Sequence, residues 1–150
     1  MTPIFYTALC RDRVTRLFYI KTLKDLKADI NEQVDGRTAP FYFLYSYSRF
    51  EAISDLIDHG FDPFAFYGKL NLMHILVQEE IAVNSTTRPS FKNLVALIEK
   101  QGDSFEDAKV DLERWSKVKD LQDAKELQRV KDRIVKSRQK LNLSNPFLKE

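Results

Sequence analysis

The sequence predicts an all-α chain of stacked helix pairs followed by a long amphipathic helix. Three observations carry that prediction. Glycine and proline are scarce, 4 and 5 in 150 residues, which disfavours a turn-rich β fold. Between Asp35 and Met73 a turn signal, two short apolar-patterned segments and a helix-ending glycine follow one another, and after Tyr67-Gly68 the succession restarts. From Ser104 onward no glycine or proline interrupts a run of helix formers until Pro146.

The first helix pair is expected within residues 1–31. Pro3 suits a first helical turn, where its missing N–H removes no bond, and Ile4, Phe5, Ala8 and Leu9 follow at helical spacing. After the polar break Arg11-Asp12-Arg13, the residues Val14, Leu17, Phe18, Leu23 and Leu26 mark a second amphipathic helix, with Ile20 less in phase.

The second pair begins at the turn Asp35-Gly36 and closes on Gly60, where a left-handed residue ends a helix at no cost to glycine. The third begins at Gly68, 32 positions after Gly36; His74 falls six residues after Gly68 as Tyr42 falls six after Gly36. Its return helix spans residues 91–100, and the long connection at 81–90 predicts an extended first helix or an inserted loop.

Several of these segments resemble ankyrin repeats. Thr2-Pro3-Ile4-Phe5-Tyr6-Thr7-Ala8 looks like T-P-L-H-x-A, Ala28-Asp29-Ile30-Asn31 resembles the "ADVN" after a second helix, and Asp35-Gly36-Arg37-Thr38 with Pro40 resembles D-G-x-T-P with one extra residue. Glu51, Ala52, Ile53, Leu56, Ile57 and Gly60 stand where the family has E-V-V-x-x-L-L-x-x-G, and Leu72-Met73-His74-Ile75-Leu76 resembles P-L-H-L-A. Leu44-Tyr45 and Leu76-Val77 depart from the family's Ala-Ala, which predicts wider helix spacing. The resemblance covers roughly residues 2–104 and implies a divergent solenoid of about three repeats over 1–104, with residues 105–143 as a long helix or helical pair and 144–150 as a tail.

Ser104 and Asp107 resemble a capping box opening that last segment. Val110, Trp115, Val118, Leu121, Leu127, Val130, Ile134 and Leu141 supply an apolar stripe, with Leu127, Ile134 and Leu141 at heptad spacing. Unbroken, a helix of about 37 residues would span about 55 Å. The alternative is a bend near Trp115-Ser116 and a folded-back pair.

Net charge is +2, distributed as +2 over 1–40, −5 over 41–107 and +5 over 108–150. A single cysteine, Cys10, excludes an intramolecular disulfide. The N-terminus lacks a signal-peptide pattern and no apolar run approaches the roughly 18–20 residues of a membrane span, so no membrane association and a cytoplasmic location are expected, or a host cytosol if the chain is a host-directed effector.

Catalytic motifs, a phosphate loop and paired-cysteine metal sites are absent from the sequence, so no enzymatic activity, metal or cofactor is expected. His59 reads as a helix cap, His74 as a backbone hydrogen-bonding residue, and Cys10 as packing. Glu79-Glu80 and Glu106-Asp107 are adjacent pairs pointing about 100° apart on a helix and read as solvated surface.

The aromatic surplus at Phe41, Tyr42, Phe43, Tyr45, Tyr47 and Phe50, with Phe64, Phe66 and Tyr67, exceeds what one buried helix face accommodates. The resemblance implies a non-catalytic protein–protein interaction module, an adaptor or inhibitor, binding a partner protein on its concave face. Tyr45, Tyr47, Arg49, Phe64, Phe66 and Tyr67 are the expected partner-binding residues. Two alternatives come from the C-terminal helix. One is homo-oligomerisation through Leu127, Val130, Ile134 and Leu141; the other is nucleic-acid binding by its lysines and arginines, disfavoured because Asp120, Asp123, Glu126 and Asp132 interleave.

Overall fold

The computed structural model describes residues 3–7, 9–47 and 49–148, without the side chains of 45–47. Its described residues are mostly helical, and four helix pairs succeed one another. They are α1 (Pro3–Thr7) with α2 (Arg13–Asp25), α3 (Ala39–Tyr47) with α4 (Phe50–Asp58), α5 (Leu72–Glu79) with α6 (Arg88–Lys100), and α7 (Phe105–Lys117) with α8 (Asp123–Lys140). Second helices form one row, α2 on α4 on α6; first helices α3, α5 and α7 form another. The main core lies between the rows, around Phe5, Ile20, Phe43, Leu44, Ile53, Leu56, Met73, Leu76 and Leu94.

Local chemistry sets the boundaries. Asp12 caps α2 by accepting from the Thr15 amide, Asn71 caps α5 and Ser104 caps α7, each relieving a first-turn donor. Strands β1 (Gln33–Val34) and β2 (Arg37–Thr38) pair antiparallel through a two-residue turn in which Asp35 and Gly36 both take positive φ, 54° and 77°. That conformation is the one a tight hairpin requires. A second tight turn pairs Tyr67 with Leu70, and the Arg37 guanidinium lies 4.6 Å from the centre of the Tyr67 ring, so successive hairpin tips touch.

The buried face of α2 is not the apolar stripe read from the sequence. Arg16 and Ile20 face the core, while Val14, Phe18 and Leu26 are 76%, 64% and 73% exposed. Arg16 turns inward because its guanidinium meets Asp55 at 2.6 Å and Glu51 at 2.7 Å on α4.

The connection after α5 is a 3-10 turn, Glu80–Ala82, and a short loop; α6 begins at Arg88, three residues ahead of the expected start. Nor is the C-terminal segment one long helix. It breaks over residues 118–122, where Asp120 takes φ 62°, and α8 folds back across the connections that follow α4 and α6. The break falls just after the expected bend at Trp115-Ser116.

Folding back consumes the heptad face. Val130 and Ile134 are fully buried against Phe64, Phe66, Trp115 and Phe147 of the same chain, Leu127 is half-buried, and Leu141 is half exposed. Val130 and Ile134 are intramolecular packing positions, which corrects the oligomerisation reading for those two. Ile134→Ala is expected to lower unfolding stability by about 2–5 kcal/mol. Its urea midpoint should fall by the same amount at every protein concentration; a concentration-dependent midpoint would instead indicate an intermolecular interface.

Where α8 crosses the link between α6 and α7, Gly102 takes φ 112° and a Cβ there would lie 2.5 Å from Arg138 Cγ. Arg138 meanwhile donates from Nε to the Ser144 carbonyl, 2.7 Å, and from a terminal nitrogen to the Gln101 carbonyl, 2.5 Å. Gly102→Ala should destabilise by about 1–3 kcal/mol from backbone strain alone, with the displaced Arg138 adding to it. Chemical denaturation measures this, and an unchanged midpoint would contradict the close approach.

Candidate interaction surfaces

The residues expected to bind a partner do not form one open surface. Phe64 is 3% exposed, packed edge-on to Phe147 with the Arg138 guanidinium 5.3 Å from its ring centre. Phe66 is half-buried against Phe147, with Lys131 Nζ 5.7 Å from its ring. The chain's own C-terminal helix and tail thus occupy the aromatics of this loop, and Phe64 is a core residue. Tyr67 remains 36% exposed at a hairpin tip. Arg49 is half-buried and precedes α4. The side chains of Tyr45 and Tyr47 lie outside the described residues, as do Thr2 and Ala8 of the first repeat-like motif.

A polar junction binds α5, α7 and α8. The Asn71 amide donates to His74 Nδ1 at 3.0 Å; a backbone N–H can only donate, so Nδ1 accepts and the ring proton sits on Nε2. From there His74 donates to Asp111 Oδ2, 2.8 Å away, and both side chains are buried. Asp111 also accepts from Arg129 and Arg133, while Asp103 accepts from Arg133 and from the Asn71 side-chain amide at 3.0 Å. Two carboxylates and two guanidiniums therefore balance around a neutral imidazole. Arg129, Arg133 and Arg138 are all spent on acceptors within the chain, which removes them from an electrostatic stripe for nucleic acid.

Burial alone would push the Asp111 carboxyl up; its hydrogen bonds from His74 and Arg133 outweigh this and hold it below the usual carboxylate range. For Asp103 burial wins and the carboxyl lies above that range, although Arg133 opposes it. Glu126, gripped by Arg114 at 2.9 Å and by the Trp115 indole at 2.8 Å, is held down to about 2.

The other histidine and the cysteine have local roles. His59 ends α4 with Nδ1 donating to the Asp55 carbonyl at 2.8 Å, and the half-buried Cys10 thiol lies 3.5 Å from the Asp12 carbonyl. Among the described residues no group of three His, Cys, Asp or Glu side chains could hold a metal ion, and no helix is long and apolar enough to cross a membrane.

An open apolar surface lies instead on the first helix pair. Between α1 and α2 is a groove of about 410 Å³ lined by Pro3, Tyr6, Cys10, Tyr19, Thr22 and Leu23. Beside it stand the exposed rings of Tyr6, Phe18 and Tyr19, with Val14 and Leu26 further along α2. Phe18 and Tyr19 pack edge to face, centroids 5.9 Å apart, which stiffens the pair. Lys21, Lys24 and Lys27, on α2 and just after it, are exposed. Helical spacing of Val14, Phe18 and Leu26 was the available sequence signal, but it was read as a buried face. In comparison with known proteins, the chain matches no family model, no curated protein and no solved structure.

The Glu126 contact carries a pH dependence. Its folded pKa, about 2, lies below the ordinary 4.5, so the stabilisation is fully present above about pH 4.5 and is lost as pH falls toward 2. Asp111 contributes in the same direction and Asp103 in the opposite one, since its raised pKa makes protonation easier when folded. Thermal midpoints measured from pH 6 to pH 2.5 should drop less steeply in Glu126→Gln than in wild type. Parallel curves would remove Glu126 as a source of acid sensitivity.

Proposed function

We propose that this chain is a non-catalytic protein-interaction module, a divergent ankyrin-like stack in which paired helices and touching hairpin tips make a rigid support. Supporting the repeat reading are the 32-residue offset between Gly36 and Gly68 and the two rows of helices. The C-terminal pair α7 and α8 closes one end. The opposite end, α1 and α2, presents the binding surface.

A single observation carries the location: the apolar stripe of α2 faces solvent. Val14, Phe18 and Leu26, with Tyr6 and Tyr19, make a set of large apolar side chains on one helix pair, adjoining a groove. Monomeric proteins expose such side chains singly; a contiguous set rimmed by polar residues marks an interaction site. Lys21, Lys24 and Lys27, exposed on the same helix and just after it, suit a partner helix that carries acidic side chains beside its apolar face.

Relative to the expected concave face, this reading moves binding away from Phe64 and Phe66 to Phe18, Tyr19 and Leu26. A triple Phe18→Ser, Tyr19→Ser, Leu26→Ser variant should retain the wild-type circular dichroism spectrum and unfolding midpoint, since these side chains lie outside the core. A partner recovered by tagged wild type from native extract should be lost, because central aromatic anchors each contribute about 2 kcal/mol or more, roughly 30-fold in affinity. Tyr67→Ala serves as the contrast at the hairpin tips. Retention of the partner by the triple variant and its loss in Tyr67→Ala would return the interface to the concave side.

A further inference from the structure

The links entering α2, α4 and α6 converge on a cavity of about 280 Å³ whose wall includes Arg11, Arg16, Arg49, Glu51, Thr86 and Ser90. Its charges are not equivalent. Arg16 is already satisfied by Asp55, Glu51 and the Cys10 carbonyl, and Glu51 is neutralised by the same contact. Arg11 and Arg49 have no hydrogen bond or ion pair to any described residue.

Arg13, Arg16, Arg114, Arg129 and Arg133, by contrast, each grip a carboxylate. Two guanidiniums on one concave wall repel each other, and among the described residues no carboxylate pairs with either to offset the repulsion. An anion held between them would. Guanidinium groups suit an oxyanion because each presents parallel donors in a fixed plane.

The donors around them point to the same chemistry. Arg49 occupies the N-cap position of α4, where an acceptor such as Ser or Asp is favoured, and makes no side-chain cap bond. Phe50, Glu51 and Ala52, the first turn of α4, line this cavity. Ser90, in the first turn of α6, brings a hydroxyl to the same wall, and Thr86 another. A ligand with several oxygens and two negative charges matches two free guanidiniums; a single carboxylate matches only one.

We propose that this cavity binds a phosphate dianion, as inorganic phosphate or as the phosphorylated side chain of a partner, with Arg11 and Arg49 as the principal ligands. The site stands on different residues from the apolar groove and does not require that groove to bind anything.

The test is an amide-resolved NMR titration of the isotope-labelled full chain at pH 7.5 and constant ionic strength, with chloride as the balancing anion. Two probes are used, inorganic phosphate and N-acetyl-phosphoserine amide. The expected result is saturable shifts confined to Phe50, Glu51, Ala52, Ser90 and the two arginines. Affinity should be weaker at pH 5, since the second phosphate ionisation lies near pH 6 and the monoanion then dominates. Arg11→Ala and Arg49→Ala should each weaken binding about tenfold, the effect of one charge-assisted contact.

Glu51→Gln should leave binding intact or strengthen it. Tighter binding of the phosphoserine probe assigns the site to a phosphorylated partner, and equal or tighter binding of inorganic phosphate to the free ion. Linear, unsaturated shifts, or a double Arg11→Ala, Arg49→Ala variant that still folds and binds as wild type, would overturn the proposal. The Phe18, Tyr19, Leu26 triple variant should bind phosphate normally, which separates this site from the apolar groove.

Discussion

The ion pair between Arg16 and Asp55 decides how the first helix pair sits on the rest of the stack. Both side chains are buried, at 3% and 2% exposure, and α2 has its opposite face in water because of them. Turning α2 over would exchange buried Ile20 and half-buried Leu23 for Val14 and Phe18, a trade that at about 1.5–3 kcal/mol for each fully buried apolar side chain does not favour the observed orientation. The same rotation would leave Asp55 buried without Arg16, a loss of about 3–5 kcal/mol for breaking a buried pair. Electrostatic pairing therefore sets the orientation, and the apolar stripe is left outside as its consequence.

The opposite end of the molecule is closed by related physics and a different outcome. There α8 brings both apolar side chains and arginines onto the stack. Val130 and Ile134 fill the space above Phe64, while Arg133 reaches Asp103 and Asp111. Each buried carboxylate on this side has a guanidinium or amide partner, so the junction tolerates dehydration. A terminal unit of a stacked array needs a polar outer face if it is to remain unpartnered. Helix α8 supplies one, with Lys125, Asp132, Lys136 and Lys140 turned to solvent. The first helix pair lacks such a cover.

Much of the helical frame was legible because it depends on local chemistry. Asp35-Gly36 as a turn, Gly60 after a helix, Ser104 as a cap and His59 at a helix end need only neighbours in sequence, and all stand so in the structure. What could not be read was which partner each side chain meets across the fold. Hydrophobic periodicity found the stripe of α2 but is silent on whether it faces in or out; an arginine on the inward face runs against every expectation from hydropathy. Heptad spacing likewise located Ile134, yet the same apolar face serves a second chain or the chain's own loop equally well. Phe64 and Ile134 were assigned to different interfaces when they are in fact each other's neighbours, because the reversal at residues 118–122 carries no glycine or proline to announce it.

The charge distribution acquires a spatial meaning once the helices are placed. The basic C-terminal segment meets the acidic middle where Arg133 reaches Asp103, and within its own length it pairs Asp111 with Arg129 and Arg133, so part of the charge there is internal. Lys21, Lys24 and Lys27, on α2 and just after it, and Arg11 and Arg49 at the cavity have no such carboxylate partner among the described residues. At the first helix pair, exposed apolar side chains and such cations occur together. On the proposed function, the partner that suits both features is one with an apolar face and acidic side chains beside it.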